Sequence, residues 1–256
     1  MRRILVTGSA GFIGSAVVRA LSARGCQARP FDTPNDVAHP EVVRKAVKGV
    51  DAVIHLAGQL GTAETFGLEA QVARTNIIGA INVADACRER GIPMVQIGTG
   101  HKGQPNPYAI TKACAEDLLL ARTDQPIAVV RAYHAYGSGQ KACAPHGPSP
   151  VRKIIPSFVC RALTDMPVEV NGSGEQLVDL VHVNEVARVL VDAVDGPYGQ
   201  VIDLCGSSSP IVHLPMRPGE PERADVVAAD PACGHPFPYG MEQTIAYYRS
   251  LVRRVA

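Results

Sequence analysis

The chain carries no surplus of either charge. Its 25 Lys and Arg stand against 24 Asp and Glu, a formal net charge of +1 over 256 residues. Nucleic-acid binders and acidic tails need concentrated charge, so both classes are set aside. No apolar run approaches the roughly 20 residues of a membrane span. The run nearest the N-terminus, Ile4-Leu5-Val6, is broken at once by Thr7-Gly8 and is too short for the core of a secretory signal. No CxxC pair occurs. The seven Cys (26, 87, 114, 143, 160, 205 and 233) are odd in number and scattered, which reads as reduced thiols in a cytoplasmic protein. No internal period or low-complexity tract interrupts the chain.

What is present is apolar and regularly spaced. Hydrophobic residues make up 46% of the sequence, enough for a substantial core, and the length suits one large domain or two small ones. Ile4-Leu5-Val6 reads as a buried strand ending in a Gly-rich turn. Residues 12–24 place Ile13, Val17, Val18 and Leu21 on one helical face. Further strands are expected at 28–31, 52–56, 94–97 and 127–130, with helices at 41–48, 68–90 and 107–122 between them. Such alternation calls for an α/β fold, a doubly wound parallel sheet with helices on both faces. Between Asp32 and Pro40 there is room for a loop only, so the third strand of a standard six-stranded unit is expected to be truncated or absent. Beyond a Pro/Gly-rich loop at 138–150, helices are expected at 151–165, 184–195 and 241–254 and strands at 168–170 and 201–204.

The turn after the first strand has the spacing Gly8-x-x-Gly11-x-x-Gly14. Gly8 permits a tight turn, Gly11 lets backbone approach a pyrophosphate, and Gly14 lets the helix pack close to the strand. The helix N-terminus then offers free N–H groups and a positive dipole end to phosphates. Three glycines alone also fit an ordinary turn. Here they lie between strand and helix, and Asp32 ends the second strand 18 residues after Gly14. The pattern therefore reads as a dinucleotide site of Rossmann type. Asp32 would bind the adenosine ribose hydroxyls and repel a 2′-phosphate, favouring NAD over NADP. Arg29 reads as a solvated surface charge.

Tyr108 and Lys112 are four residues apart at the start of a helix and share one face. Thr99 ends the strand just before, and ligands of parallel sheets bind beyond the carboxyl ends of strands. Thr99 and Tyr108 are thus expected in one crevice. A nearby Lys⁺ and an oxidised nicotinamide would lower the Tyr108 pKa from near 10 and make a general base at neutral pH.

These motifs, with Asp51-Ala52-Val53-Ile54-His55-Leu56-Ala57-Gly58, Asn76-Ile77-Ile78-Gly79, Val130-Arg131-Ala132-Tyr133-His134-Ala135-Tyr136-Gly137, Gly172-Ser173-Gly174-Glu175-Gln176 and Arg217-Pro218-Gly219-Glu220, stand in the order of a known family. The chain resembles the nucleotide-sugar epimerase/dehydratase branch of the extended short-chain dehydrogenase/reductase superfamily, over nearly its whole length. The resemblance implies Thr99, Tyr108 and Lys112 as the catalytic group. It implies cofactor contacts from Gly8, Gly11, Phe12, Ile13 and Gly14. Asp32, Asp36, Val37, Leu56, Ala57, Gly58, Asn76, Ile97 and Tyr133 join them, with Tyr108 and Lys112 themselves. It implies substrate contacts from Thr99, His101, His134, Gln176 and Arg217, the last gripping a diphosphate. No metal is expected; Cys143 and His146 lack further ligands nearby.

Departures bear on the substrate. Gly98-Thr99-Gly100-His101 lacks the acidic pair that sugar 4,6-dehydratases carry there, and the decarboxylase-type Glu is missing. His134, Ser138 and Val178 replace the usual Asn, Pro and Arg. Only twelve residues separate Leu204 from Arg217, so the substrate lobe is expected to be small and trimmed. The expected division is an NAD-binding domain at 1–150 and a substrate-binding lobe at 151–256. They are partly interleaved, since strands near 181–183 and 201–204 can return to the first sheet. The implied function is NAD-dependent epimerisation of a nucleotide sugar at C4 through a transient keto-sugar. The alternatives are a sugar oxidoreductase or lyase on the same scaffold and, last, a noncatalytic dinucleotide sensor. A cytoplasmic homodimer is expected, with apolar Ile78, Ile81, Ala84, Leu118 and Leu119 on its helices and no nucleic-acid or membrane partner.

Overall fold

The structure, a computed structural model, describes residues 1–172, 174, 176, 178–204 and 237–252. Eight strands are formed among them: β1 (Arg3–Thr7), β2 (Gln27–Phe31), β3 (Ala52–His55), β4 (Met94–Thr99), β5 (Ile127–Ala132), β6 (His134–Tyr136), β7 (Leu180–His182) and β8 (Val201–Leu204). Six of them build one parallel sheet in the order β2-β1-β3-β4-β5-β8. Residues 32–51 contribute no strand, so β2 is the sheet edge, as the short loop after Asp32 requires. An edge is also where Pro30 is tolerated inside a strand.

Side chains alternate across the sheet and feed two cores. Ile4, Val6, Ile54, Val95 and Val130 pack on one face with helices α1 (Phe12–Ala23) and α7 (Val183–Asp192). Leu5, Val53, Met94 and Ile127 face the other way, onto α2 (Pro40–Ala46), α4 (Gly79–Arg88) and α5 (Pro107–Leu120). Each such aliphatic side chain, once buried, contributes roughly 1.5–3 kcal/mol. The central strands are buried on both faces, which explains why they read as unbroken apolar runs.

The helices expected over 68–90 are α3 (Glu69–Ala73) and α4, joined through a π-helical turn at Arg74–Ile78. The register slip buries Asn76, a polar residue that an apolar pattern does not place. Residues 168–170 form no strand. Glu169 is instead held by Arg152 and Arg161, which extend from the segment around α6 (Ile154–Leu163), and Val168 is exposed. β7 does not join the main sheet but pairs in parallel with β6. β8 does join it, beside β5. Helix α8 (Phe237–Val252) packs on α6, where Tyr248 is fully buried and donates from its hydroxyl to the Gln140 carbonyl at 2.5 Å.

Candidate active site

Strands β1, β3, β4 and β5 all end on one edge of the sheet, and the loops that leave them surround a cleft of about 1120 Å³. Its floor at one end is the glycine turn. Gly8 has φ +69°, and a Cβ there would stand 2.8 Å from the Ala57 nitrogen. A Cβ on Gly14 would lie 2.0 Å from the Gly8 carbonyl oxygen. Both positions therefore exclude any other residue. Gly11 is the N-cap of α1, and no side chain caps that helix, so its first N–H groups are open to an anion. The turn thus fits the diphosphate of a dinucleotide on its own geometry.

Asp32 follows β2 and holds this turn from the side. One carboxylate oxygen accepts the Ala10 N–H at 2.8 Å and the other the Thr33 N–H at 2.8 Å. The Thr33 hydroxyl also donates to the second oxygen, at 3.4 Å. A carboxylate has about four acceptor sites, so one remains for a ligand hydroxyl. Arg29 donates to the Lys48 carbonyl at 2.8 Å and takes no part. Asp36 is exposed and accepts the Ala38 N–H, while Val37 is buried against Gly79.

Asn76 lies behind the cleft. Its amide accepts the Gln59 N–H at 2.8 Å, donates to the Gln59 carbonyl at 2.9 Å, and donates to the Thr111 hydroxyl at 3.0 Å. The π turn thereby ties the loop after β3 to α5. On β3 itself, His55 is buried and its Nδ1 lies 2.6 Å from the Thr7 hydroxyl. That hydroxyl accepts the Leu56 and Ala57 N–H groups, so its hydrogen goes to His55.

The catalytic candidates converge as expected. Asn106 caps α5 and Pro107 occupies its first position, which fixes the start of the helix one residue before Tyr108. The Tyr108 hydroxyl is hydrogen-bonded to the Thr99 hydroxyl at the end of β4. Lys112, one turn on, is buried and donates to the Ile97 carbonyl at 2.5 Å. Burial brings the Lys112 ammonium down to about 8, while Glu116, a further turn on, pulls it upward. Glu116 is itself buried and paired with Arg131 of β5, whose Nε donates to it at 2.9 Å. On balance the protein's own groups raise the Tyr108 pKa. Burial raises it, and the Thr99 hydrogen bond opposes that more weakly.

At the far end stand His101 and His134. Their rings meet edge to face at 4.8 Å. Burial, with Lys153 nearby, takes His101 down to about 4; burial, then His101 and Lys153, takes His134 down to about 3. Tyr133 packs over Gly100, where a Cβ would lie 2.3 Å from its ring.

Gly8, Gly11, Phe12, Ile13, Gly14, Asp32, Asp36, Val37, Leu56, Ala57, Gly58, Ile97, Thr99, His101, Tyr108, Tyr133 and His134 all line the cleft. Asn76 and Lys112 stand behind its wall. Gln176 does not line it; its amide reaches the Asn171 carbonyl at 3.5 Å. Arg217, and with it the trimmed stretch after Leu204, lies outside the described residues. Sequence reasoning missed Lys153, which lines the cleft from the N-cap of α6, and the support given by His55 to Thr7, by Gln104 to the His101 ring at 3.0 Å, and by Glu116 and Arg131 behind Lys112. The signal for Glu116 was its place eight residues after Tyr108, on the same helical face.

A family model described as the NAD dependent epimerase/dehydratase family matches residues 4–203. The chain belongs to this family. NAD is the family's cofactor, and the uncapped turn around Gly11 fits it. Its members differ in chemistry. The chain is 30% identical to a 2-alkyl-3-oxoalkanoate reductase of Stenotrophomonas maltophilia, over 72% of this chain and 63% of that one. It thus spans less than two thirds of the reductase's length. It is 25% identical to a UDP-N-acetyl-alpha-D-glucosaminuronate decarboxylase of Bacillus cytotoxicus, over 98% of both chains. Among solved structures, UDP-glucose 4-epimerase of Thermus thermophilus in complex with NAD superposes with a TM-score of 0.78 and 24% identity, covering 96% of this chain and 99% of that one. At that identity the likeness is one of fold. Among the described residues no helix is long and apolar enough to cross a membrane, and no three His, Cys, Asp or Glu side chains gather as metal ligands.

Proposed function

We propose that this member of the family is an NAD-dependent epimerase of a nucleotide sugar, acting at C4 through a transient keto-sugar. The observation that carries the reading is the hydrogen-bonded pair of Thr99 and Tyr108 hydroxyls, with buried Lys112 behind it, in one cleft with the glycine turn. Residues around Gly8, Gly11, Gly14 and Asp32 hold the dinucleotide, with Val37, Leu56, Ala57, Gly58 and Ile97 along its length. NAD⁺, when bound, supplies uptake and return of a hydride. Tyr108 takes the proton of the sugar hydroxyl, and Thr99 holds the same oxygen. Lys112, one turn on from Tyr108, anchors the end of β4 through the Ile97 carbonyl. His101, His134 and Tyr133 face the sugar, and no carboxylate lines that end of the cleft among the described residues. In the sugar dehydratases that the chain resembles, loss of water uses an acidic pair at that end, so the lack of a carboxylate there favours the redox-neutral epimerase.

The second reading is an oxidoreductase or lyase on the same scaffold, favoured by the reductase and decarboxylase relatives. The proposed division is a cofactor domain at 1–150 and a substrate lobe at 151–256, in a cytoplasmic homodimer. The test is a panel of nucleotide sugars incubated with protein and NAD⁺ and followed by proton NMR. A C4 epimer without net NADH supports the proposal. Stoichiometric NADH, or an unsaturated or decarboxylated product, overturns it in favour of the second reading. Absence of turnover on any sugar points to a dinucleotide sensor.

A further inference from the structure

The loop between β4 and α5 holds a chain of side-chain amides that ends on an imidazole in the cleft. It starts at the N-cap of α5. There Asn106 Oδ1 accepts the Ala109 N–H at 2.9 Å, which makes the other end of that amide, Nδ2, a donor. Nδ2 lies 3.4 Å from Gln104 Oε1, so Gln104 in turn presents its Nε2 as a donor to the next group. That group is His101 Nδ1, at 3.0 Å. An imidazole nitrogen that accepts a hydrogen bond carries no proton, so a neutral His101 has its hydrogen on Nε2. Asn106 is fully buried and Gln104 nearly so, which keeps water from competing for the relay. The His101 backbone N–H bonds the Thr99 hydroxyl at 3.2 Å, fixing the residue beside the catalytic pair. His134 of β6 braces the ring edge to face. Burial first and then the charge of Lys153, at the N-cap of α6, keep His101 neutral; the other titratable ring packed against it is His134.

We propose that His101 contacts the substrate as a neutral hydrogen-bond donor, locked in the Nε2–H tautomer by Asn106 and Gln104, and that it meets an uncharged carbonyl or hydroxyl oxygen of the sugar. The substrate half of this rests on the sugar-site reading above; the tautomer lock does not. Asn106 and Gln104 are positioning residues. With Nδ1 already occupied, His101 takes no proton from a carbon acid, which leaves Tyr108 as the proton-exchanging group and disfavours elimination next to the keto carbon.

The test uses the full-length protein with NAD⁺ and nitrogen-15-labelled histidine. Long-range proton–nitrogen correlation spectra report the tautomer of each ring, and His101→Gln assigns the resonance. The expected His101 is the neutral Nε2–H form from about pH 8 to about pH 5.5. Gln104→Glu, whose carboxylate accepts instead of donating, is expected to move the proton to Nδ1 and raise the His101 titration. An Nδ1–H ring or an imidazolium at neutral pH in the unsubstituted protein overturns the lock, as does an unchanged tautomer in Gln104→Glu. On the nucleotide sugar turned over in the panel, His101→Gln keeps a donor and is expected to lose less kcat/KM than His101→Leu. His101→Leu loses about tenfold or more. Equal values for the two variants overturn the substrate contact. No turnover of any sugar defeats the epimerase reading, while the spectra still decide the lock.

Discussion

Burial and hydrogen bonding pull Tyr108 in opposite directions. Its surroundings disfavour the phenolate, and Thr99 alone among the protein's groups opposes that. The ammonium of Lys112 is directed at the Ile97 carbonyl, so the expected lowering of the phenol requires the positive ring of an oxidised nicotinamide beside it. On the proposed mechanism, proton transfer is thereby tied to occupancy by the oxidised cofactor. Tyr108→Phe is expected to lower turnover by about 10²–10⁴-fold while NAD⁺ affinity, read by calorimetry, stays within a few fold. Near-normal turnover in that variant would place the base elsewhere. Asp32 is the matching test at the other end of the cleft. Its remaining acceptor site suits a ribose hydroxyl, and its charge repels a 2′-phosphate. NAD⁺ is expected to bind more tightly than NADP⁺, and Asp32→Ala to narrow the gap; equal affinities in the unsubstituted protein would refute the assignment.

The elements show what a sequence can and cannot carry. Strands β1, β3, β4 and β5 were legible because both of their faces are buried, and continuous apolar runs have few other uses. The glycine turn and the Tyr108–Lys112 pair were legible because local spacing sets their geometry. The π turn was not: a single-residue slip leaves the apolar pattern of residues 68–90 intact, and the amide of Asn76 reaches Gln59 and Thr111, distant in sequence. The strand at 168–170 failed because Glu169 found two arginines that no periodicity reveals. The helix surface was half read. Ala84 and Leu119 belong to the core, whereas Ile78, Ile110 and Leu118 are 47%, 59% and 43% exposed. Apolar side chains left open on neighbouring segments fit a contact with a second copy. Sedimentation is expected to give a homodimer at micromolar concentration that Leu118→Lys with Ile110→Lys weakens; a monomeric unsubstituted protein would refute it. Gly14→Ala tests the turn. A methyl 2.0 Å from a backbone oxygen forces α1 away from β1. The expected loss is about 3 kcal/mol or more in urea unfolding, with NAD⁺ binding abolished. Unchanged stability would mean that the helix start is looser than drawn.

Stability of the whole molecule is expected to lean on the same buried imidazoles that shape the site. His55 is held near 3 by burial first and by the charge of Lys112 second; His101 is held near 4 and His134 near 3. In the unfolded chain each binds a proton near 6.5. Between that value and the folded values the unfolded state therefore carries more protons, and stability falls as pH falls. The contribution is complete above pH 6.5 and drains away towards pH 4 and 3, on the order of 1 kcal/mol per pH unit for a ring that stays neutral. His55 has the full effect, being sealed beneath Thr7. The two cleft rings have less, since water in the cleft moderates their surroundings. Lys112 acts on the other side of neutrality. Its folded value of about 8 lies below the ordinary 10.5, so the folded state holds fewer protons between the two and stability rises with pH there. The profile is thus expected to be lopsided, steep on the acid flank and shallow or rising on the alkaline one up to the point where other groups titrate. Urea midpoints measured at about pH 7 and about pH 5 check this: a clear drop is expected, and His55→Asn should flatten the acid slope even though it lowers stability at neutral pH. A midpoint that does not move between those two pH values would show that His55 takes up its proton inside the fold, and that the Thr7–His55 bond is not the fixed joint between β1 and β3 described above.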